Sequence, residues 1–202
     1  LKYKRKPPCL ADKMVDWRLL ESVGGQAILD GKHVVEFGPA FAIDALLFAG
    51  SAELYIVIES DPSVVQHLHD LLGNESQSGG VYSLLEWDLR EPPIPLEDSF
   101  ADVVIDFGTI DNVTDPAAGV AVSAECGLGA YREAARILKP GGLLLTTFAD
   151  LRHFKIMASV CGDEIRRLPA DLSTVLCGLG LDPLVGAGPI VPRVGMAFRK
   201  RP

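Results

Sequence analysis

The sequence predicts an α/β fold built on an open, mostly parallel sheet, and three stretches carry that prediction. The run His33-Val34-Val35 ends in Glu36, Phe37, Gly38 and Pro39, and Ile43 to Ala49 then reads as a helix, giving strand, tight turn, helix. Glu53 to Ile58 (E-L-Y-I-V-I) is a buried strand that closes in Glu59-Ser60-Asp61-Pro62, where Asp61 caps a helix with proline in its first turn. Near residue 140 a helix stops at Lys139-Pro140-Gly141-Gly142 and the chain runs straight into Leu143 to Phe148, another apolar strand. Strands that alternate with helices in this way build a sheet covered on both faces.

Taken in order, residues 1–10 with Pro7 and Pro8 form an extended leader, and a helix begins near Asp12, with Met14, Trp17, Leu19, Leu20 and Val23 recurring at three and four residues. Gly24-Gly25 interrupts it before Ala27 to Leu29. After the first two strands, Val64, Val65, Leu68, Leu71 and Leu72 make the apolar face of a helix, and Gly73 to Gly80 is a surface loop. Val81 to Leu85 is the third strand, followed by Glu86-Trp87-Asp88-Leu89 and a proline-rich turn; Ser99 to Asp106 holds the fourth. Val113 to Gly129, rich in Ala, Gly, Ser and Val, reads as a long cover, and from Ala130 a helix presents Tyr131, Ala134, Ala135 and Leu138 on one face. Asp171 to Leu179 is a further helix, and strands around Leu184–Ile190 and Arg193–Arg199 finish the chain.

The ordered motifs resemble the class I S-adenosylmethionine-dependent methyltransferases. V-V-E-F-G-P-A-F-A (Val34 to Ala42) is similar to their E-x-G-x-G-x-G turn, with Glu36 and Gly38 in register and Ala40 and Ala42 in place of the later glycines. A methyl at Ala40 costs about 1–2 kcal/mol if that residue is left-handed. S-F-A-D-V-V-I-D is similar to the fourth-strand motif, and R-I-L-K-P-G-G-L-L-L is the most specific match. The resemblance spans about residues 30 to 200 and implies a Rossmann-like, doubly wound sheet of seven strands, mostly parallel with an antiparallel last strand. Residues 1–30 are then a leader and covering helix, and 31–202 a single methyltransferase-like domain.

The resemblance implies S-adenosylmethionine as cofactor. Glu36, Gly38 and Ala40 would belong to its first turn, and Phe107 lies where the chain leaves the sheet beside the transferred methyl. Glu59, with Ser60 beside it, stands about 20 residues beyond the glycine turn, where a carboxylate accepts both ribose hydroxyls. Asp88 would receive the adenine amino group, and the Leu89 amide would meet a ring nitrogen. His153, after the fifth strand, is the candidate general base, a role worth roughly 10² to 10⁴ in rate. Asp106, Asp111 and Asp150 lie near strand ends, but no metal is predicted, because the Asp-Asn that follows the fifth strand in metal-dependent relatives is Asp150-Leu151 here.

Composition sets the remaining bounds. At 202 residues and 48% hydrophobic content the chain can bury one sizeable core, and its net charge of -8 disfavours a nucleic-acid surface. No stretch reaches the roughly 20 apolar residues of a membrane span, and no membrane partner is expected. Four widely spaced cysteines fit reduced thiols in a cytoplasmic protein. Phe107-Gly108-Thr109 lacks the proline pair of enzymes that methylate nucleic-acid bases, so the expected acceptor is a small or medium-sized molecule. Homo-oligomerisation is left open. The alternative is a catalytically inactive methyltransferase-like module that binds or regulates, motivated by Ala40 and Ala42; an aminopropyl-transfer reading fails because E-F-G-P-A differs from the D-G-G-x-G turn it requires.

Overall fold

The computed structural model describes residues 10–39, 43–73, 81–110, 124–149, 168–190 and 193–202. Among them, seven strands form one sheet: β1 (His33–Phe37), β2 (Leu54–Glu59), β3 (Val81–Glu86), β4 (Ala101–Phe107), β5 (Leu138–Ala149), β6 (Leu181–Ile190) and β7 (Arg193–Lys200), in the order β3-β2-β1-β4-β5-β7-β6. The first five strands are parallel, and β7 runs antiparallel to both of its neighbours, β5 and β6. This is the doubly wound, Rossmann-like sheet expected from the sequence. The helices are α1 (Leu10–Ser22), a 3-10 turn at Gly25–Leu29, α2 (Ile43–Phe48), α3 (Pro62–Gly73), α4 (Ala124–Ile137) and α5 (Leu168–Gly178).

The central strands are apolar throughout because both of their faces are covered. Val34, Tyr55, Val57, Val103, Ile105, Leu145 and Ala197 point to one face, where Leu19, Leu20, Leu29, Ala45, Phe48 and Leu68 from α1, the 3-10 turn, α2 and α3 bury them. Val35, Ile56, Ile58, Val104, Leu144 and Phe198 point to the other, against Ala130, Tyr131, Ala134 and Ile137 of α4 and Leu176 of α5. The covering helix α1 therefore contributes directly to the core.

The chain winds outward from β1 through β2 to β3, then returns to β4 on the other side of β1. That reversal opens a crevice at the carboxyl ends of β1 and β4, where ligands of open α/β sheets bind.

Several boundaries differ from those expected of the sequence. Helix α4 starts at Ala124 and ends at Ile137, and Lys139-Pro140-Gly141-Gly142 belongs to an irregular entry into β5. Leu138 pairs with Ala101, and the register shifts before Val103 meets Leu143. Gly142 is required there, since a Cβ would lie 2.9 Å from the Lys139 carbonyl oxygen and 3.0 Å from that of Asp102. Arg136 of the same motif serves packing, because its guanidinium donates to the carbonyls of Ile94 and Leu96 at 2.8 Å each and pairs with Glu133. Among the described residues no helix is long and apolar enough to cross a membrane.

Candidate functional site

The turn after β1 is shaped by Gly38. Its φ of +55° is left-handed, and its amide donates to the Ile58 carbonyl at 2.7 Å. A Cβ there would lie 2.4 Å from Thr109 Cγ2 and 2.6 Å from Thr109 Oγ1. The Thr109 hydroxyl sits 2.7 Å from the Phe37 carbonyl and 2.9 Å from that of Gly38, so the loop after β4 is fastened to the loop after β1 across the crevice. Glycine thus serves both the backbone conformation and the close approach.

Glu36 is 1% exposed and accepts a hydrogen bond from the Tyr55 hydroxyl at 2.9 Å. Burial first, and then the Glu36 charge, push the Tyr55 phenol well above its usual range; the same two causes raise Tyr82. Both tyrosines therefore stay protonated, which suits the Tyr55 hydroxyl as donor to the buried Glu36 carboxylate.

The ends of β2 and β3 lie side by side, because the pairing of Glu59 with Glu86 continues as a hydrogen bond from the Trp87 amide to the Glu59 carbonyl at 3.0 Å. The buried Glu59 carboxylate accepts from the amides of Ser60 at 2.8 Å and Asp61 at 3.0 Å. Ser60 itself is exposed. Asp61 accepts from the Ser63 amide at 2.9 Å and so caps α3 as its sequence requires. Beyond β3, Asp88 accepts from the Arg90 amide and Nε at 2.9 Å each, and from Arg90 Nη2. These bonds, with the Arg90 charge, hold the Asp88 carboxyl below the usual carboxylate range despite partial burial. Leu89 is buried in the core, and the Trp87 ring packs at the core edge with its Nε1 donating to the Glu91 carbonyl at 2.9 Å.

At the end of β4, Asp106 acts as a cap. Its Oδ1 accepts from the amides of Thr109 and Ile110 at 2.9 Å each, and its Oδ2 accepts from the Thr146 hydroxyl at 2.7 Å. Phe107, half-buried, packs on the face beneath α1. Ala40, Ala42, Asp111, Asp150 and His153 lie outside the described residues. Among the described residues no group of three or more His, Cys, Asp or Glu could hold a metal ion.

Two acids on this side are not singled out by the sequence motifs. Asp16 of α1 is 0% exposed and accepts a hydrogen bond from Thr147 at the end of β5 at 2.8 Å. Asp44 in the first turn of α2 is 1% exposed and accepts from Trp17 Nε1 at 3.3 Å. The sequence does carry a signal for Asp16. It precedes Leu19, Leu20 and Val23 by three, four and seven residues, so an acid occupies a position in the apolar stripe of the helix.

No family model matches the chain, and no curated protein matches it in sequence. Solved structures do match. The N-methyltransferase NodS from Bradyrhizobium japonicum WM9 is similar at 15% identity and a TM-score of 0.68, over 95% of this chain and 97% of that one. A SAM-dependent methyltransferase from Aquifex aeolicus matches at 12% identity and a TM-score of 0.65, over 96% of this chain and 99% of that one. The 1,6-didemethyltoxoflavin-N1-methyltransferase from Burkholderia thailandensis, solved with S-adenosylhomocysteine, matches at 12% identity and a TM-score of 0.62, over 96% of this chain and 79% of that one. Strand order, the antiparallel β7 and likeness over nearly the whole length agree: the chain has the fold of the class I S-adenosylmethionine-dependent methyltransferases.

Proposed function

We propose that the chain is an S-adenosylmethionine-dependent methyltransferase acting on a small or medium-sized acceptor by direct in-line displacement. The observation that carries this reading is the placement of a glycine turn, Glu59 and Asp88 at the carboxyl ends of β1, β2 and β3, three adjacent strands beside the crevice. The donor chemistry fits the cofactor. An ionised carboxylate is an acceptor only, the kind of group to which both ribose hydroxyls can donate, and Glu59 holds one at the end of β2. Arg90 fixes the Asp88 carboxylate in its charged form, the form that accepts from an adenine amino group. When bound, S-adenosylmethionine supplies an electrophilic methyl group on a sulfonium.

The chain's own part is alignment, which can supply roughly 7 to 11 kcal/mol of the barrier. Thr109 and Asp106 hold the loop after β4 in a fixed relation to the loop after β1, so an acceptor lying over Phe107 is positioned against both. The reading also takes Gly38, Ala40, Ser60 and the Leu89 amide as cofactor contacts, His153 as the acceptor-side base, and a cytoplasmic location. Two of the similar structures are N-methyltransferases, and one of them was solved with S-adenosylhomocysteine, which supports the choice of cofactor.

A reading without methyl transfer draws on one observation. The [4+2]-cyclase SpnF is similar at 18% identity and a TM-score of 0.67, so the fold serves other chemistry too. Calorimetric titration with S-adenosylmethionine and S-adenosylhomocysteine, with adenosine as control, tests the cofactor site. Micromolar binding supports the assignment, and absence of binding at millimolar ligand rejects it. Methyl transfer from labelled cofactor to an acceptor library then separates an enzyme from an inactive module.

A further inference from the structure

The chain from Trp87 to Phe100 joins β3 to β4 with neither helix nor strand, and most of its residues are exposed. Point contacts therefore set its place on the domain. Its first part, Trp87 to Glu91, is a compact turn. The Glu91 amide donates to the Asp88 carbonyl at 2.9 Å, Trp87 Nε1 donates to the Glu91 carbonyl at 2.9 Å, and Arg90 is bound to the Asp88 carboxylate. At the front of the turn the Trp87 amide is fixed to the Glu59 carbonyl of β2 at 3.0 Å.

Behind the turn the chain is held by α4. The buried Glu133 carboxylate accepts from the Ile94 amide at 2.7 Å, and Arg136 Nη2 donates to the Ile94 carbonyl at 2.8 Å. Both backbone groups of one buried residue are thus taken by two side chains on neighbouring turns of one helix, which are themselves paired at 2.8 Å. Arg136 Nη1 extends the hold to the Leu96 carbonyl at 2.8 Å and the Asp98 carboxylate at 2.7 Å. The Leu89 and Ile94 side chains belong to one core cluster with Ala130 and Ala134 of α4, so the turn and its rear anchor rest on the same surface. Apolar side chains of similar volume often stabilise a fold as well as a buried ion pair does. They cannot fix the direction of a peptide group, which this pair does at Ile94.

We infer that Glu133 and Arg136 are positioning residues for recognition of the cofactor's adenine. This rests on the methyltransferase reading above, in which Asp88 accepts from the adenine amino group and the Leu89 amide donates to a ring nitrogen. A turn that is stiff inside and pinned only at Trp87 pivots about the end of β2. The hold on Ile94 removes that pivot and keeps Asp88 and Leu89 in register with Glu59, and small misplacements of such groups are costly. Both residues act through Ile94 and touch no part of the cofactor.

The test is calorimetric titration of the full chain with S-adenosylhomocysteine and with S-inosylhomocysteine, which presents a carbonyl and an N–H where adenine presents its amino group and ring nitrogen. The wild type is expected to prefer S-adenosylhomocysteine at least about tenfold, as a charged hydrogen bond allows. Glu133→Gln and Arg136→Lys are each expected to lower that preference at least about threefold, the scale of coupling within one hydrogen-bond network. Loss of folded protein changes the stoichiometry and not the preference, so a purely structural role leaves the ratio where it was. Amide exchange of the wild type supplies a measurement that needs no variant. Coupling is reciprocal, so the Ile94 amide should exchange more slowly under S-adenosylhomocysteine than under S-inosylhomocysteine when both are present at the same multiple of their Kd, a condition that equalises global stabilisation. An unchanged preference in both variants, or equal exchange of Ile94 under the two ligands, overturns the inference. A wild type that binds both ligands equally overturns it together with the adenine assignment, and one that binds neither overturns the cofactor reading itself.

Discussion

Substitution of Gly38 by alanine concentrates three costs at one atom. The left-handed φ of +55° penalises a side chain by about 1–2 kcal/mol. The new Cβ would lie 2.4 Å from Thr109 Cγ2, and relief requires Thr109 to rotate or the loop to shift. Rotation withdraws the one hydroxyl proton that the Phe37 and Gly38 carbonyls share, a loss of about 1 kcal/mol, and a loop shift instead brings overpacking costs of about 1–3 kcal/mol. The expected destabilisation of Gly38→Ala is about 2–5 kcal/mol, a fall in melting temperature of about 4–20 °C for a domain of this size. Urea denaturation measures it, and Thr109→Ala sharpens the test by deleting both side-chain atoms that the new Cβ would strike, Cγ2 and Oγ1. In that background Gly38→Ala should cost about 1–2 kcal/mol less. A loss below about 1 kcal/mol, or the same loss in both backgrounds, would refute the argument that the two loops are interlocked here.

Other outcomes follow from the same geometry. Glu59→Gln retains an oxygen for the Ser60 and Asp61 amides but removes the charge, so S-adenosylhomocysteine affinity should fall about tenfold, as expected for a charged hydrogen bond, with little change in melting temperature. Asp106→Ala strips acceptors from the Thr109 and Ile110 amides and from Thr146, and should cost about 2–4 kcal/mol in urea denaturation. The folded Asp88 carboxyl titrates below its unfolded value of about 3.9, so its contribution is present above that pH and is lost as pH falls through the lower folded value. Calorimetry should therefore show S-adenosylhomocysteine affinity flat from about pH 8 to pH 5, and Arg90→Ala should move its acid decline to higher pH.

The sheet was legible because its signals are local. E-L-Y-I-V-I can bury both faces, Asp61-Pro62 opens a helix, and the motif order fixes which strand follows which. The positions of Glu59 and Asp88, at the end of β2 and just beyond β3, are legible for a related reason, as a carboxylate near a strand end is visible in the residues beside it. What stayed hidden joins distant parts of the chain. Thr109 meets Gly38, and Thr147 meets Asp16, across separations for which no periodicity leaves a trace. The Arg90 clamp on Asp88 was missed because a two-residue pair in a turn looks like ordinary surface charge. β5 starts earlier than the composition suggests, since Lys-Pro-Gly-Gly reads as a loop although Leu138 ahead of it already pairs with Ala101 of β4.

The position of β7 makes the place of β6 in the sheet depend on it. β6 precedes it in the chain yet touches the sheet through β7 alone among the strands, so β6 cannot join until β7 has formed. The two form one antiparallel pair that completes the sheet against β5. Gly195, the seat of Leu19 of α1, lies within that pair. The amino-terminal helix is therefore seated on a surface that the carboxyl-terminal strands build, so elements from opposite ends of the sequence depend on one another for this wall of the domain.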